Sequence, residues 1–266
     1  MALIQCDFFS EVLGMCMSMN VILPEKAKGL IGMEGTAQRD KHPTLYLLHG
    51  RSDDHSIWLR RTSIERYVAP LGLAVVMPAV HLSYYCNLKD GGQYWDYISQ
   101  EVPAKAREFF PLSEAREDNF AAGLSMGGFG AFKLGLNCPD QYAAAASLSG
   151  ALWTPERFAE RYNQKARPEM RRSLEPAMGS PEEFKGSIND FIHQAQAIAD
   201  QDKPRPKLYQ CCGTEDFLYK ANAEFRDRIE PLGFDYTYEE EPGIHEWAYW
   251  DKKIQRVLDW LPLSRG

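Results

Sequence analysis

The sequence predicts an α/β fold: a mostly parallel central sheet with helices on both faces and an antiparallel hairpin at its N-terminal edge. Three observations carry this. Apolar runs at 44–48, 73–77, 120–124 and 143–148 have the length of strands covered on both sides, and 207–212 returns as a further strand. Stretches with helical spacing separate them, so the order strand, loop, helix repeats along the chain. With 266 residues, 44% of them hydrophobic, the chain can bury a full core, and no linker, internal repeat or low-complexity tract divides it. A single domain over 1–266 is the expectation.

Taken in order, residues 2–9 and 11–23 read as two β segments around Ser10, the second alternating loosely through Val12, Met15, Met17, Met19 and Val21. Residues 24–41 are polar and rich in Gly and Lys, an exposed connection. Strand 44–48 runs into His49-Gly50-Arg51, and a helix follows over about 56–67 with Trp58, Ile64 and Tyr67 facing inward. Strand 73–77 closes at Pro78; a loop containing His81, Tyr84, Tyr85 and Tyr94 leads to a helix over about 95–110. Residues 119–136 supply strand, turn and helix, stopping near Asn137 and Pro139, and 143–148 another strand. Between 150 and 203 the composition turns charged and proline-interrupted, with helices near 155–161 and 188–200; this reads as a helical excursion over one end of the sheet. Strand 207–212, helix 217–232, strand 234–240 and helix 246–261 complete the series.

Composition limits the function. A net charge of −7 argues against nucleic-acid or anionic-membrane partners, since neither attracts an acidic surface. The apolar runs are too short to span a bilayer, and the N-terminus lacks the basic and long apolar segments of a secretion signal. Six scattered cysteines in a domain of this size fit reduced, buried thiols and a cytoplasmic setting. Cys211-Cys212 lacks metal-ligand spacing, so no structural metal is expected. No organic cofactor is expected either, because a serine, histidine and acid together supply nucleophile, base and charge stabilisation. Self-association is left open.

The chemistry centres on Gly123-Leu124-Ser125-Met126-Gly127. G-x-S-x-G between a strand and a helix is the nucleophile elbow of the α/β-hydrolase fold, where a strained serine projects its hydroxyl from a sharp turn. The motif occurs often by chance, so its apolar strand before and helical pattern after are what give it weight. A dinucleotide loop beginning at Gly128 fails, because Lys133 stands where the last glycine belongs.

A serine needs a base within reach, and the base needs a carboxylate to orient it. After Ser125 only His193 and His245 remain. His193 falls within a helix of the excursion, the place of a solvated histidine. His245 follows the final strand in a glycine-containing loop, where a hydrolase base belongs. For the acid, Asp216 and Glu215 both follow strand 207–212; Asp216 is preferred, although an aspartate there could simply cap the next helix. The oxyanion hole requires two backbone N–H donors, assigned to Met126 and Arg51. His49 precedes Ser125 and is given a loop-bracing role, while the Arg51 side chain could meet an anionic substrate group or be solvated. Tyr94, Trp153 and Phe217, with Tyr84 and Tyr85, are candidates for an aromatic substrate wall, or ordinary core.

Leu47-Leu48-His49-Gly50, Val75-Val76-Met77-Pro78, Ala122 to Gly128, Ser147 to Leu152 and Cys212 to Leu218 together resemble the esterase D family, with the nearest likeness to its bacterial tributyrin esterase branch. The resemblance runs over about 2–261. It implies a serine carboxylesterase of the α/β-hydrolase fold acting on short acyl esters, with the family's nucleophile on Ser125, acid on Asp216 and base on His245. Arginine at position 51 departs from the apolar residue that branch leads one to expect. The substrate expected is a small ester, with acetylated carbohydrate one candidate. S-formylglutathione and feruloyl esters are the alternatives within the family, and a catalytically silent binding protein is the alternative outside it.

Overall fold

The computed structural model describes residues 1–26, 39–164, 168–201 and 204–263. Most of the expected connection over 24–41 therefore lies outside the described residues. Strands β1 (Ala2–Ser10) and β2 (Met15–Leu23) form the antiparallel hairpin. Its turn occupies 11–14 rather than Ser10 alone, because Gly14, at φ +66°, takes the left-handed turn position and β2 begins only after it.

Strands β3 (Thr44–Leu48), β4 (Ala74–Pro78), β5 (Asn119–Leu124), β6 (Ala144–Leu148), β7 (Lys207–Gly213) and β8 (Tyr236–Glu241) join β1 and β2 in an eight-stranded sheet. Its order is β1-β2-β4-β3-β5-β6-β7-β8, with β3 to β8 mutually parallel. Successive residues of β3 point to opposite layers: Leu45 and Leu47 join one hydrophobic core, Tyr46 and Leu48 the other. Two-sided burial explains why the central strands read as unbroken apolar runs. The β8 edge is instead charged, with Glu239 bonded to the buried Lys253 at 2.8 Å and to Arg256 at 3.1 Å.

Helices cover both faces. The helix expected over 56–67 is two, α1 (Ile57–Arg61) and α2 (Ile64–Val68), because the Thr62 hydroxyl accepts the Ile64 amide and breaks the ladder. Trp58 and Ile64 are buried, but Tyr67 is half-buried and bonds Asp251. The stretch at 95–110 comprises a turn of helix, α3 (Tyr94–Asp96), a π segment (Tyr97–Glu101) and α4 (Val102–Phe109). Helix α5 (Met126–Asn137) is buried on every side from Met126 to Leu136. Within it Lys133 is fully buried, its Nζ 3.1 Å from Cys86 Sγ and 4.8 Å from the Trp95 ring centre.

The region between β6 and β7 holds α6 (Pro155–Tyr162), α7 (Pro168–Met178), α8 (Pro181–Phe184) and α9 (Phe191–Asp200). The sequence reading placed only the first and last of these. Pro176 concealed α7: it stands inside the helix near its C-terminal end, where it forfeits one intrahelical hydrogen bond that the rest of the helix tolerates. A reciprocal Ser180–Glu183 capping box starts α8. The aromatic residues of this region join the core on one face of the sheet, with Phe158 and Phe184 stacked at 4.2 Å. Helices α10 (Tyr219–Ile229) and α11 (Trp247–Trp260) finish the chain. Among the described residues no helix is long and apolar enough to cross a membrane, and no His, Cys, Asp and Glu cluster could hold a metal ion.

Candidate active site

Parallel strands bring all their C-terminal ends to one edge of the sheet, so loops far apart in sequence meet there. A pocket of about 960 Å³ opens at that edge. Its lining comes from successive loops: Gly50 to Asp53 after β3, Tyr84 after β4, Ser125 after β5, Ala151 and Trp153 after β6, Phe217 and Leu218 after β7, and His245 to Trp247 after β8. Arg161 and Gln164, from the end of α6 and just beyond it, also line it.

Ser125 stands between β5 and α5 at φ +53° and ψ −114°, a conformation costly for a residue with a side chain. Its amide donates to Leu148 O at 2.9 Å, and its carbonyl accepts from Ala151 and Phe129, so neighbouring loops hold the turn. A Cβ on Gly123 would strike the Gly127 carbonyl, and one on Gly127 the Leu48 carbonyl. Both glycines of the motif are therefore required by close backbone approach, and Gly127 lets α5 lie directly against β3.

The His245 Nδ1–H donates to Asp216 Oδ2 at 2.8 Å, which leaves Nε2 as the ring's acceptor. The Asp216 side chain is fully buried, and its Oδ1 accepts the Leu218 amide at 2.8 Å. The carboxylate thus pairs with the histidine and also closes a turn ahead of α10, whose N-cap is Leu218 rather than Asp216. Glu215 is turned elsewhere, accepting the Gly243 amide at 2.5 Å. Two rings flank the imidazole, Phe217 at 4.5 Å and Trp250 at 4.8 Å between ring centres. Trp250 Nε1 donates in turn to Ser149 Oγ at 3.1 Å. His193, at the start of α9, is outside the pocket lining.

Met126 is the first residue of α5 and Arg51 follows β3 by three residues. Amides of a first helical turn lack intrahelical acceptors, which leaves the Met126 N–H available. His49 lies beneath this turn: its Nδ1–H donates to Gly50 O at 2.7 Å, and its Nε2 accepts the Val80 amide at 3.0 Å. Burial pushes its pKa down to about 4, so the ring is a neutral brace between the loops after β3 and β4.

Of the aromatic candidates, Trp153 and Phe217 line the pocket. Tyr94 does not: its hydroxyl pairs with His81 Nδ1 at 2.9 Å, away from the lining residues. Tyr85 is buried, bonding His49 O. The sequence reading missed Arg161 and Gln164 in this wall, and the Ser149 to Trp250 contact; no local pattern marks either, because each joins segments distant along the chain.

A family model described as "Putative esterase" matches residues 10–261. An acetyl esterase of Caldicellulosiruptor saccharolyticus is 28% identical over 269 residues, covering 98% of both chains. The structure of FphF, a fluorophosphonate-binding serine hydrolase of Staphylococcus aureus, is similar at 36% identity, with a TM-score of 0.84 over 99% of both chains. That of an S-formylglutathione hydrolase (FrmB) from the same organism is similar at 37% identity and a TM-score of 0.82, over 98% of both. The chain belongs to the esterase family, consistent with its likeness to esterase D, and is a serine carboxylic ester hydrolase of the α/β-hydrolase fold.

Proposed function

We propose that this enzyme hydrolyses short-chain acyl esters through an acyl-serine intermediate formed at Ser125. The observation that carries the reading is the His245 to Asp216 pair beside the strained Ser125, all placed by loops at one sheet edge. Ser125 Oγ attacks the ester carbonyl while His245 Nε2 takes its proton, and the Asp216 carboxylate stabilises the imidazolium through Nδ1–H. Amides of Met126 and Arg51 receive the oxyanion. His245 then gives its proton to the leaving alkoxide. Water, deprotonated by the same ring, attacks the acyl carbonyl and releases the acid and free Ser125.

Acetyl groups, including those on carbohydrates, are the favoured acyl class, supported by the acetyl esterase relative. Thioester hydrolysis of S-formylglutathione is the second reading, favoured by the similarity to FrmB. In either case the chain acts as one unit, with the 150–203 excursion walling the site. Free thiols at all six cysteines support a reducing, cytoplasmic setting. The test is covalent labelling by a fluorophosphonate at Ser125, with acetyl ester and S-formylglutathione turnover at matched concentrations. Failure to label the folded protein would overturn the mechanism.

A further inference from the structure

An acidic chain, of net charge −7, places two arginines in the wall of its reactive pocket. Arg51 comes from the loop after β3 and Arg161 from the last turn of α6. Both line the same cavity as Tyr84; burial raises the pKa of its hydroxyl, and the two arginine charges oppose that rise. Among the described residues Arg51 forms no salt bridge, and its Nε is buried without a hydrogen-bond partner. A charged donor withdrawn from water and given no acceptor by the protein is suited to an acceptor that arrives with a ligand.

Two acidic residues, Asp53 and Glu246, also line the cavity. Asp53 packs its carboxyl against Gly50 and lies in the field of Arg60 and Arg61, while Glu246 is exposed at the rim before α11. Resting on the serine-esterase reading, we propose that Arg51 and Arg161, with Tyr84 and Gln164 as neutral partners, form an anion subsite that selects esters carrying a carboxylate. A planar guanidinium pairs with a carboxylate through two parallel N–H donors, which fixes orientation as well as charge. The carboxylate could belong to the acyl group or to the alcohol, and the two are separable by substrate.

The experiment uses two matched pairs: 4-acetoxybenzoate against 4-acetoxybenzamide, with the charge on the leaving group, and monomethyl glutarate against methyl 4-carbamoylbutyrate, with the charge on the acyl group. We expect kcat/KM for the anionic member to exceed its neutral partner about 10-fold in one pair, as one charge-assisted contact permits. Arg161→Gln and Arg51→Gln should each bring that ratio down toward one. The ratio is read rather than the rate, because the Arg51 amide is assigned to the oxyanion. Ratios at or below one in both pairs, or a ratio that neither variant changes, would overturn the subsite while fluorophosphonate labelling leaves the esterase reading standing. Absence of both labelling and hydrolysis would overturn the two together.

Discussion

The Asp216 carboxylate divides its two oxygens between His245 Nδ1 and the Leu218 amide, each at 2.8 Å. One side chain thereby fixes both the start of the segment leading into α10 and the tautomer of the imidazole. Asp216→Asn keeps the shape but presents an N–H or a neutral oxygen to the ring, favouring the wrong tautomer. We expect kcat to fall by about 10³ to 10⁴-fold. Glu215→Gln, whose partner is the Gly243 amide, should cost far less. Steady-state kinetics of both variants tests the assignment; a reversed ranking would give the role to Glu215.

Ser125→Ala and His245→Ala should each abolish most turnover with the fold retained, and the double variant should be little worse than either. In the proposed mechanism nucleophile and base act as one unit, so the second loss removes nothing further. Single and double variants compared by kcat, with circular dichroism as the check on folding, would expose additive losses if the two acted separately.

His49 links stability to acid. Its folded pKa of about 4 lies below the ordinary histidine value of 6.5, so protons bind the unfolded chain more readily between these two. Its contribution is complete above about pH 6.5, declines as pH falls toward 4, and can reach about 3 kcal/mol over that window. In His49→Gln an uncharged acceptor can still meet Val80, and the stability difference between pH 7 and pH 5 should shrink. Urea unfolding at both pH values measures it; an unchanged difference would mean that other groups govern the acid sensitivity.

Trp250→Phe retains a ring beside His245 but removes the Nε1 donor to Ser149 Oγ. Loss of one such hydrogen bond costs about 1 kcal/mol. Thermal unfolding should register that cost, and kcat should fall more than KM changes, because the imidazole loses a fixed wall. A variant as stable and active as the parent would mark the contact as incidental.

Acyl length should matter. With p-nitrophenyl esters, kcat/KM should be highest at about two to four carbons and fall well before eight. Each buried methylene contributes about 0.8 kcal/mol only where apolar surface receives it. Here Arg51, Asp53, Arg161, Gln164 and Glu246 interrupt the apolar wall offered by Trp153, Phe217 and Trp247. Octanoyl ester cleaved more efficiently than butyryl, below its micelle-forming concentration, would point to a lipid substrate.

The elements that local physics controls were readable in the sequence. Unbroken apolar runs become the central parallel strands because helices cover both faces, and Gly123 and Gly127 flank Ser125 because backbone passes where side chains would stand. Ser125, Asp216 and His245 were picked out by the chain order of the α/β-hydrolase fold, and each stands on a loop after a strand of the sheet. Where competing local signals were close in strength, the sequence did not decide. Thr62 splits a helix that apolar spacing joined, Pro176 hides one that forms, and Glu215 beside Asp216 has the same chemistry with a different direction.

Tertiary structure alone decided the rest. Direction and distance between segments far apart in the chain are set by packing, and no local pattern encodes them. It turns Asp216 inward and Glu215 outward, sets Trp250 between His245 and Ser149, withdraws Tyr94 from the pocket, and brings Arg161 to the wall that Arg51 already lines. The sequence by itself determined which kind of reaction this chain supports, because strand, turn and helix around Ser125 are local. Which ester it accepts depends on side chains from six separate loops and α6 meeting at one sheet edge, and only the folded core places them there.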